Sequence, residues 1–449
     1  MSVPQGRGRA VKKKARAPRR PREAELIHDW NATGAPPRPA HPVQVSDETL
    51  RDGVQSASAR EPSTEARLEV LSLMDRLGVG AASLGMPCTG ERGFQHALAL
   101  ARHVREARLK LEPYCAGRTL VEDLAPIAEV AQRSGVPLVV HTFVGASAIR
   151  EWTEGWDAGV LRRATRKAIQ FARKQGLDVA FVTEDTSRSS PERLEALFRV
   201  AVDAGATRLV LCDTVGHASP GGARALVGWT RRLLEGWGLP DVRLEWHGHN
   251  DRGLALACAL AALEAGCHRA HGCGLGVGER AGNAPLDLLL LNLFLLGWAR
   301  VDLGALLPYV RGVSQALGVP IPRNYPLAGE DAFRTSTGIH AAAILKARAR
   351  GDTWLEDRVY SAVPATALGL KQAIEVGPMS GRANVRAWLE AHGEPVTEAL
   401  CRAVLRAARA SPGLLSDDEL RALCSREASG GLASAKGRGR RSRIVGPVS

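Results

Sequence analysis

The sequence predicts a (β/α)₈ barrel, class α/β, with a C-terminal helical appendage, and three observations carry that reading. Eight short β-like runs alternate with longer helix-like ones between Pro42 and about Gly282. The densest polar motifs fall at the C-terminal ends of the first and seventh runs, the end at which barrels hold their active sites. After Arg300 the alternation stops and only helical segments continue.

The strand runs are 43–45, 81–84, 109–115, 138–143, 179–182, 208–212, 243–249 and 269–273. Between the first two, Leu68, Leu71, Met74 and Leu77 recur on one helical face. Ser190-Pro191 offers an N-cap and a first-turn proline, and Gly205 suits the position after that helix ends. Beyond the barrel, 303–317, 341–350, 384–391 and 397–410 read as helices. A last helix begins at Ser416, where Ser416-Asp417-Asp418-Glu419 makes a capping box. The expected organisation is a basic tail over 1–24, the barrel over 42–300, a helical linker and C-terminal subdomain over 301–425, and a second tail over 430–449.

Charge separates the tails from the body. Residues 1–22 hold nine basic side chains and 430–449 hold five, with no acid in either, so the net charge of +13 becomes −1 for the remainder. Such segments cannot bury a core and read as disordered. A near-neutral body argues against nucleic acid as the partner. Hydrophobic content of 45 % fits a soluble globule. The longest apolar run, 286–298, is broken by Asn292 and Gly297 and is too short for a bilayer. No apolar stretch follows the basic N-terminus, so a cytoplasmic location is expected, with no membrane partner. The eight cysteines form no C-x-x-C pair and read as small buried hydrophobes.

The seventh run ends in Leu244-Glu245-Trp246-His247-Gly248-His249-Asn250-Asp251. Residues i and i+2 of a strand face one side, so both imidazoles enter the same space. Two neutral imidazoles side by side suit a divalent cation; the plainer reading is a polar strand end. The first run ends in Asp47-Glu48-Thr49-Leu50-Arg51-Asp52-Gly53-Val54-Gln55. Only strand eight separates strands one and seven in a closed barrel, so Asp52 can reach the same ion. Arg51 would offer fixed positive charge to a developing oxyanion; the plain alternative is a solvated charged turn. After the eighth run, Gly276-Val277-Gly278-Glu279-Arg280-Ala281-Gly282-Asn283 permits close backbone approach and offers the Asn283 oxygen to the ion. It lacks the pattern of a nucleotide loop.

Taken together, D-E-T-L-R-D-G-V-Q, H-G-H-N-D-R-G and G-V-G-E-R-A-G-N resemble three signatures of the isopropylmalate, homocitrate and citramalate synthases. Weaker echoes follow in order: His141-Thr142-Phe143-Val144-Gly145-Ala146-Ser147, Glu184-Asp185-Thr186-Ser187-Arg188, Asp213-Thr214-Val215-Gly216, Thr337-Gly338-Ile339-His340 and Val376-Gly377-Pro378-Met379-Ser380-Gly381. The resemblance spans residues 43–410 and leaves out the tails.

What it implies is a metal-dependent enzyme that joins acetyl-CoA, its co-substrate, to a small 2-oxo acid and hydrolyses the thioester. Asp52, His247, His249 and Asn283 would hold Mg²⁺, Mn²⁺ or Zn²⁺. Arg51 would stabilise enolate and alkoxide oxygens. His340, reaching in from the partner chain of a homodimer, would be the base, assisted by Glu184. Gln55 and Thr214 would bind substrate. Arg150 and Arg118 would meet a second carboxylate on the acceptor, favouring 2-oxoglutarate over 2-oxoisovalerate, unless they face solvent or the CoA phosphates. The chain also ends before the regulatory domain of many isopropylmalate synthases, which tilts the expectation to the homocitrate type; the acceptor stays open.

Three departures stand out. Ser83 occupies the end of strand two, where the family usually has a glutamate. Ala66 replaces a lysine of the first helix, and Trp354 or Tyr360 would have to stand for a tyrosine after G-I-H. Two rivals remain. A hydroxymethylglutaryl-CoA lyase-type enzyme would use the same metal residues in reverse, but G-E-R-A-G-N has the synthase form. A nucleic-acid-binding protein using its tails would need a basic face on the body.

Overall fold

The computed structural model describes residues 21–32, 39 and 41–438. The chain divides into two compact units, 1–38 and 39–449. The described part of the first holds a short helix, Glu23–Leu26, and a 3₁₀ turn, Trp30–Ala32. The basic tails fall largely on residues 1–20 and 439–449, outside the described residues.

The second unit contains a closed parallel barrel in sequential strand order. Its strands are β1 Gln44–Asp47, β2 Ala81–Ser83, β3 Glu112–Arg118, β4 Val139–Gly145, β5 Asp178–Glu184, β6 Arg208–Asp213, β7 Arg243–Gly248 and β8 Arg269–Gly272. Each expected run is a strand. The third starts three residues later than expected, because the Asp75 carboxylate captures the amide of Leu111 at 3.0 Å, and that of Lys110 beside it, and holds them in a turn. It also runs on to Arg118, three residues past the expected end at 115.

The barrel helices are α1 Thr64–Arg76, α2 Glu91–Glu106, α3 Val121–Ser134, α4 Ala158–Lys174, α5 Pro191–Asp203, α6 Pro220–Gly236, α7 Ala255–Glu264 and α8 Leu286–Leu295. A further short helix, Ala148–Glu154, precedes α4. Apolar residues of the helices and outward strand faces form one large core. Inside the barrel, Ala81, Tyr114, Val139, Ala180, Val210 and Cys212 form a small apolar floor. Below it, first residues of several strands close the N-terminal mouth with ion pairs. Arg208 binds Glu112 at 2.9 Å and Asp178 at 3.2 Å. Arg269 reaches Glu112 and Glu245, both at 3.0 Å, and Gln44 at 2.9 Å.

The expected boundary at residue 301 falls elsewhere. Helix α9, Leu303–Leu317, buries its apolar face in the barrel core, as do Leu327, Phe333, Ala365 and Leu368. A separate core begins at Val376 and unites α12 Arg382–Ala391, α13 Glu398–Ala410 and α14 Asp417–Arg438. Between them lie α10 Gly338–Ala349, α11 Thr353–Arg358 and an unexpected parallel pair, β9 Arg334–Thr335 with β10 Ala373–Ile374. The capping box at Ser416 is formed. The helix it starts continues to Arg438, so residues 430–438 are helical rather than tail. Among the described residues no helix is long and apolar enough to cross a membrane.

Candidate metal centre and active site

A cavity of about 280 Å³ opens at the C-terminal mouth of the barrel. Glu48, Arg51, Asp52, Gln55, Glu184, Thr214, His247 and His249 all line it. Asp52 lies just past β1, and its Oδ2 is 3.3 Å from His247 Nε2 and 3.4 Å from His249 Nε2. Ligand atoms of the three lie within 4.8 Å of one another. Burial opposes charge on Asp52, but Arg51 and the two histidines outweigh it and hold the carboxyl well below its usual range. Burial lowers the His247 pKa against the pull of Asp52, which favours a neutral imidazole. An ionised carboxylate beside a neutral imidazole, with a second histidine next to them, is a donor set a divalent cation takes.

The residues fit such an ion in a second respect. Asn283 is buried and donates its amide to Val277 O at 3.1 Å, leaving Oδ1 without a partner. It pairs with His249 as an isolated bridge, which brings the strand-eight loop to the metal residues. That approach depends on two glycines. Gly278 (φ +152°) and Gly282 (φ +84°) are in backbone conformations that disfavour a side chain. A Cβ would also overlap the Asn283 amide at Gly278 and Gly276 O at Gly282.

Arg51 donates from Nε to Glu48 at 2.6 Å and approaches Asp52 at 3.5 Å. Glu184 ends β5 across the cavity. Burial raises its pKa, while Arg150 and Arg51 oppose the rise, so it suits proton transfer. Asp185 is turned away with φ +60°, and pairs with Arg188 at 2.7 Å. Its amide donates to Thr214 Oγ1 at 2.8 Å.

Besides Asn283, which approaches through His249, three expected residues do not line the cavity. Arg118 has the inward parity of β3, but Asp123 clamps it in two hydrogen bonds of 2.7 and 2.9 Å and it faces solvent. Arg150 stands behind the rim, 3.2 Å from Glu154 and 3.9 Å from Glu184, with its guanidinium over Trp156. His340 is exposed at the start of α10 and stacks on Tyr360 at 4.0 Å. Other lining residues were not singled out: Met86, His141, His271, Glu279 and Arg280, besides Glu48. Strand parity points to His271, which shares an inward face with Arg269, and Glu48 stands one helical turn before Arg51.

The HMGL-like family profile matches residues 42–310, and the chain belongs to that family. A homocitrate synthase of Methanopyrus kandleri is 33 % identical over 374 residues, 82 % of this chain and 87 % of that protein. A 2-isopropylmalate synthase of Solidesulfovibrio magneticus is 34 % identical over 350 residues, 76 % of this chain and 64 % of that protein. The chain spans 61 % of a third relative, the 2-isopropylmalate synthase of Methylacidiphilum infernorum, at 32 % identity. Among solved structures, the hydroxymethylglutaryl-CoA lyase of Pseudomonas aeruginosa overlays with a TM-score of 0.52 at 19 % identity. The overlay covers 62 % of this chain and 93 % of that one, a likeness of fold alone.

Proposed function

We propose that this protein condenses acetyl-CoA with a 2-oxo acid and hydrolyses the resulting thioester, an acyltransferase reaction of the homocitrate or isopropylmalate synthase type. The observation that carries the reading is one cavity that joins Asp52, His247 and His249 to Arg51 on one side and Glu184 on the other. Relatives named homocitrate synthase and 2-isopropylmalate synthase support it.

Asp52, His247, His249 and Asn283 would hold a divalent cation, Mg²⁺, Mn²⁺ or Zn²⁺. Bound there, it supplies Lewis acidity to a ketone oxygen. The protein's groups do the rest. A base takes a proton from the acetyl methyl, and that carbon bonds to the ketone carbon. The ketone oxygen gains a proton, and water then cleaves the thioester, releasing CoA and a carboxylate. Arg51 faces the oxygens on which charge develops. Glu184 moves a proton, and Gln55 and Thr214 hold the acceptor.

His340 is the base in this reading and must come from a second copy, since in its own chain it lies on the surface stacked with Tyr360. The reading therefore includes a homodimer. Arg150 would read a distal carboxylate after swinging from Glu154, which favours 2-oxoglutarate as the acceptor. Thiol release from acetyl-CoA against 2-oxoglutarate, 2-oxoisovalerate and pyruvate tests the function. No release with any 2-oxo acid refutes it. Mixing inactive His340→Ala and Asp52→Ala chains should restore part of the activity, and a strictly monomeric active enzyme refutes the shared site.

A further inference from the structure

Arg51 is the one guanidinium next to Asp52 in the cavity, and what fixes it is visible in the structure. The register of β1 on β2, Ser46 with Ala81 and Asp47 with Ala82, sets Glu48 beside Ser83 on the next strand. Ser83 is fully buried and its hydroxyl has no partner. The carboxylate that holds Arg51 therefore comes from the first strand and not the second. Glu48 Oε2 accepts from Arg51 Nε at 2.6 Å. Its other oxygen, Oε1, lies 3.2 Å from His271 Nδ1 on β8. His271 Nε2 lies 2.8 Å from Glu245 on β7, and Glu245 is itself tied to Arg269 at 3.0 Å. Glu48, His271 and Glu245 are all buried.

These contacts give each member of the row a partner of opposite charge. Burial opposes charge on Glu48, but Arg51 and His271 hold it ionised, and contacts with Glu245 and Glu48 raise the His271 pKa despite burial. His271 on β8 is itself held by Glu245 on β7, so its contact with Glu48 Oε1 leaves that carboxylate little freedom. A guanidinium anchored at Nε keeps a defined orientation, and here Nη2 is directed towards Asp52 at 3.5 Å.

We propose that Glu48, backed by His271 and Glu245, is a positioning residue that holds Arg51 in its working orientation, in place of any carboxylate at Ser83. The proposal rests on the role given to Arg51 under the proposed function.

Two readouts separate the proposal from that role. The first is thiol release. Glu48→Thr should lower kcat by about 10- to 100-fold with a smaller change in KM, since Arg51 acts on charge that develops in the transition state. Ser83→Glu in the same background offers a carboxylate from the next strand and should recover about tenfold of the loss. The second readout is exchange of the Arg51 Nε–H with water, followed by ¹⁵N NMR of the full-length protein. It should be slow in the native protein, fast in Glu48→Thr and His271→Phe, and slow again in Glu48→Thr/Ser83→Glu. Unchanged exchange in Glu48→Thr overturns the proposal whether or not thiol is released. An absence of thiol release in the native protein overturns only the proposed reaction. If Ser83→Glu does not fold, a cycle of Glu48→Thr with Arg51→Lys decides: coupled losses support the proposal and independent ones overturn it.

Discussion

The two mouths of this barrel are built from the same kinds of side chain and arranged to opposite ends. At the N-terminal mouth Arg208, Arg269, Glu112, Glu245, Asp178 and Gln44 interlock, and among the buried side-chain atoms of these six residues only Arg269 Nε lacks a partner. At the C-terminal mouth Ser83 Oγ, His141 Nε2, His249 Nδ1 and Asn283 Oδ1 are all buried without one. An unpartnered buried polar atom costs about 1–3 kcal/mol, so natural proteins keep few of them. Of these, His141 and His249 line the cavity, and Asn283 bridges to His249, so open bonding capacity lies beside the proposed site.

The contrast can be broken at either end. The largest effect is expected at the metal cluster. Removing the ion with a chelator, or replacing His247 with Ala, should reduce thiol release by at least about a thousandfold while circular dichroism shows the fold intact. Adding Mg²⁺, Mn²⁺ or Zn²⁺ should restore the chelated protein. Normal turnover by a metal-free sample would reject the centre.

At the other mouth the loss should be one of stability. Arg208→Leu removes the guanidinium that Glu112 and Asp178 share, leaving Glu112 to Arg269 and Asp178 to Arg173, and both carboxylates are partly exposed. About 3 kcal/mol should be lost in a denaturant titration, with kcat per folded molecule unchanged. A normal midpoint combined with a fall in kcat would show that this mouth serves the chemistry after all.

A third test concerns the seam between Tyr325 and the loop after β8. Asp287 accepts from Tyr325 at 2.7 Å and from the Leu275 amide at 2.7 Å, and burial raises its pKa from 3.8 to about 6. The folded state therefore holds this proton at pH values where the unfolded chain has released it. The associated stability is full below about pH 4 and is lost as pH rises to about 6. Comparing native and Asp287→Asn proteins by thermal unfolding from pH 4 to 7 should reveal a differential of about 3 kcal/mol, with the native protein gaining at the acid end. A flat difference would place the proton elsewhere.

The smallest effect is expected at Arg150. Arg150→Ala should lower kcat/KM for 2-oxoglutarate by about ten- to a hundredfold, worth about 1.5–3 kcal/mol, and leave 2-oxoisovalerate or pyruvate nearly unaffected. Native protein that prefers 2-oxoisovalerate would replace the homocitrate reading with the isopropylmalate one.

Much of this arrangement was legible in the sequence, for stated physical reasons. Strand alternation fixed both imidazoles on one face, and closure of the barrel brought Asp52 to them, so the cluster followed from spacing. The G-x-G-E-R-A-G-N loop announced its turns through glycines at positive φ. Side chains whose direction depends on a competing partner were not legible. Arg118 has the parity of an inward residue, but Asp123, five positions on, turns it out. Glu48 read as part of a charged turn until His271 and Glu245 appeared beside it, from strands more than 190 residues away in sequence. The β9–β10 pair escaped because two-residue strands carry no periodicity. The end of α14 escaped because a Gly/Ser/Arg-rich segment reads as a tail whether or not a preceding helix carries on into it.

The locked N-terminal mouth also bears on traffic. The inner floor and the ion pairs beneath it close the cavity towards the N-terminal mouth, and its open rim includes Arg280, which reaches Asp251 at 2.8 Å and Thr214 O at 2.6 Å. Two reactants that share a blind chamber cannot pass each other. Under the proposed reaction, the 2-oxo acid held at Asp52, His247 and His249 would lie below the thioester, so it would enter first and CoA would leave before the product.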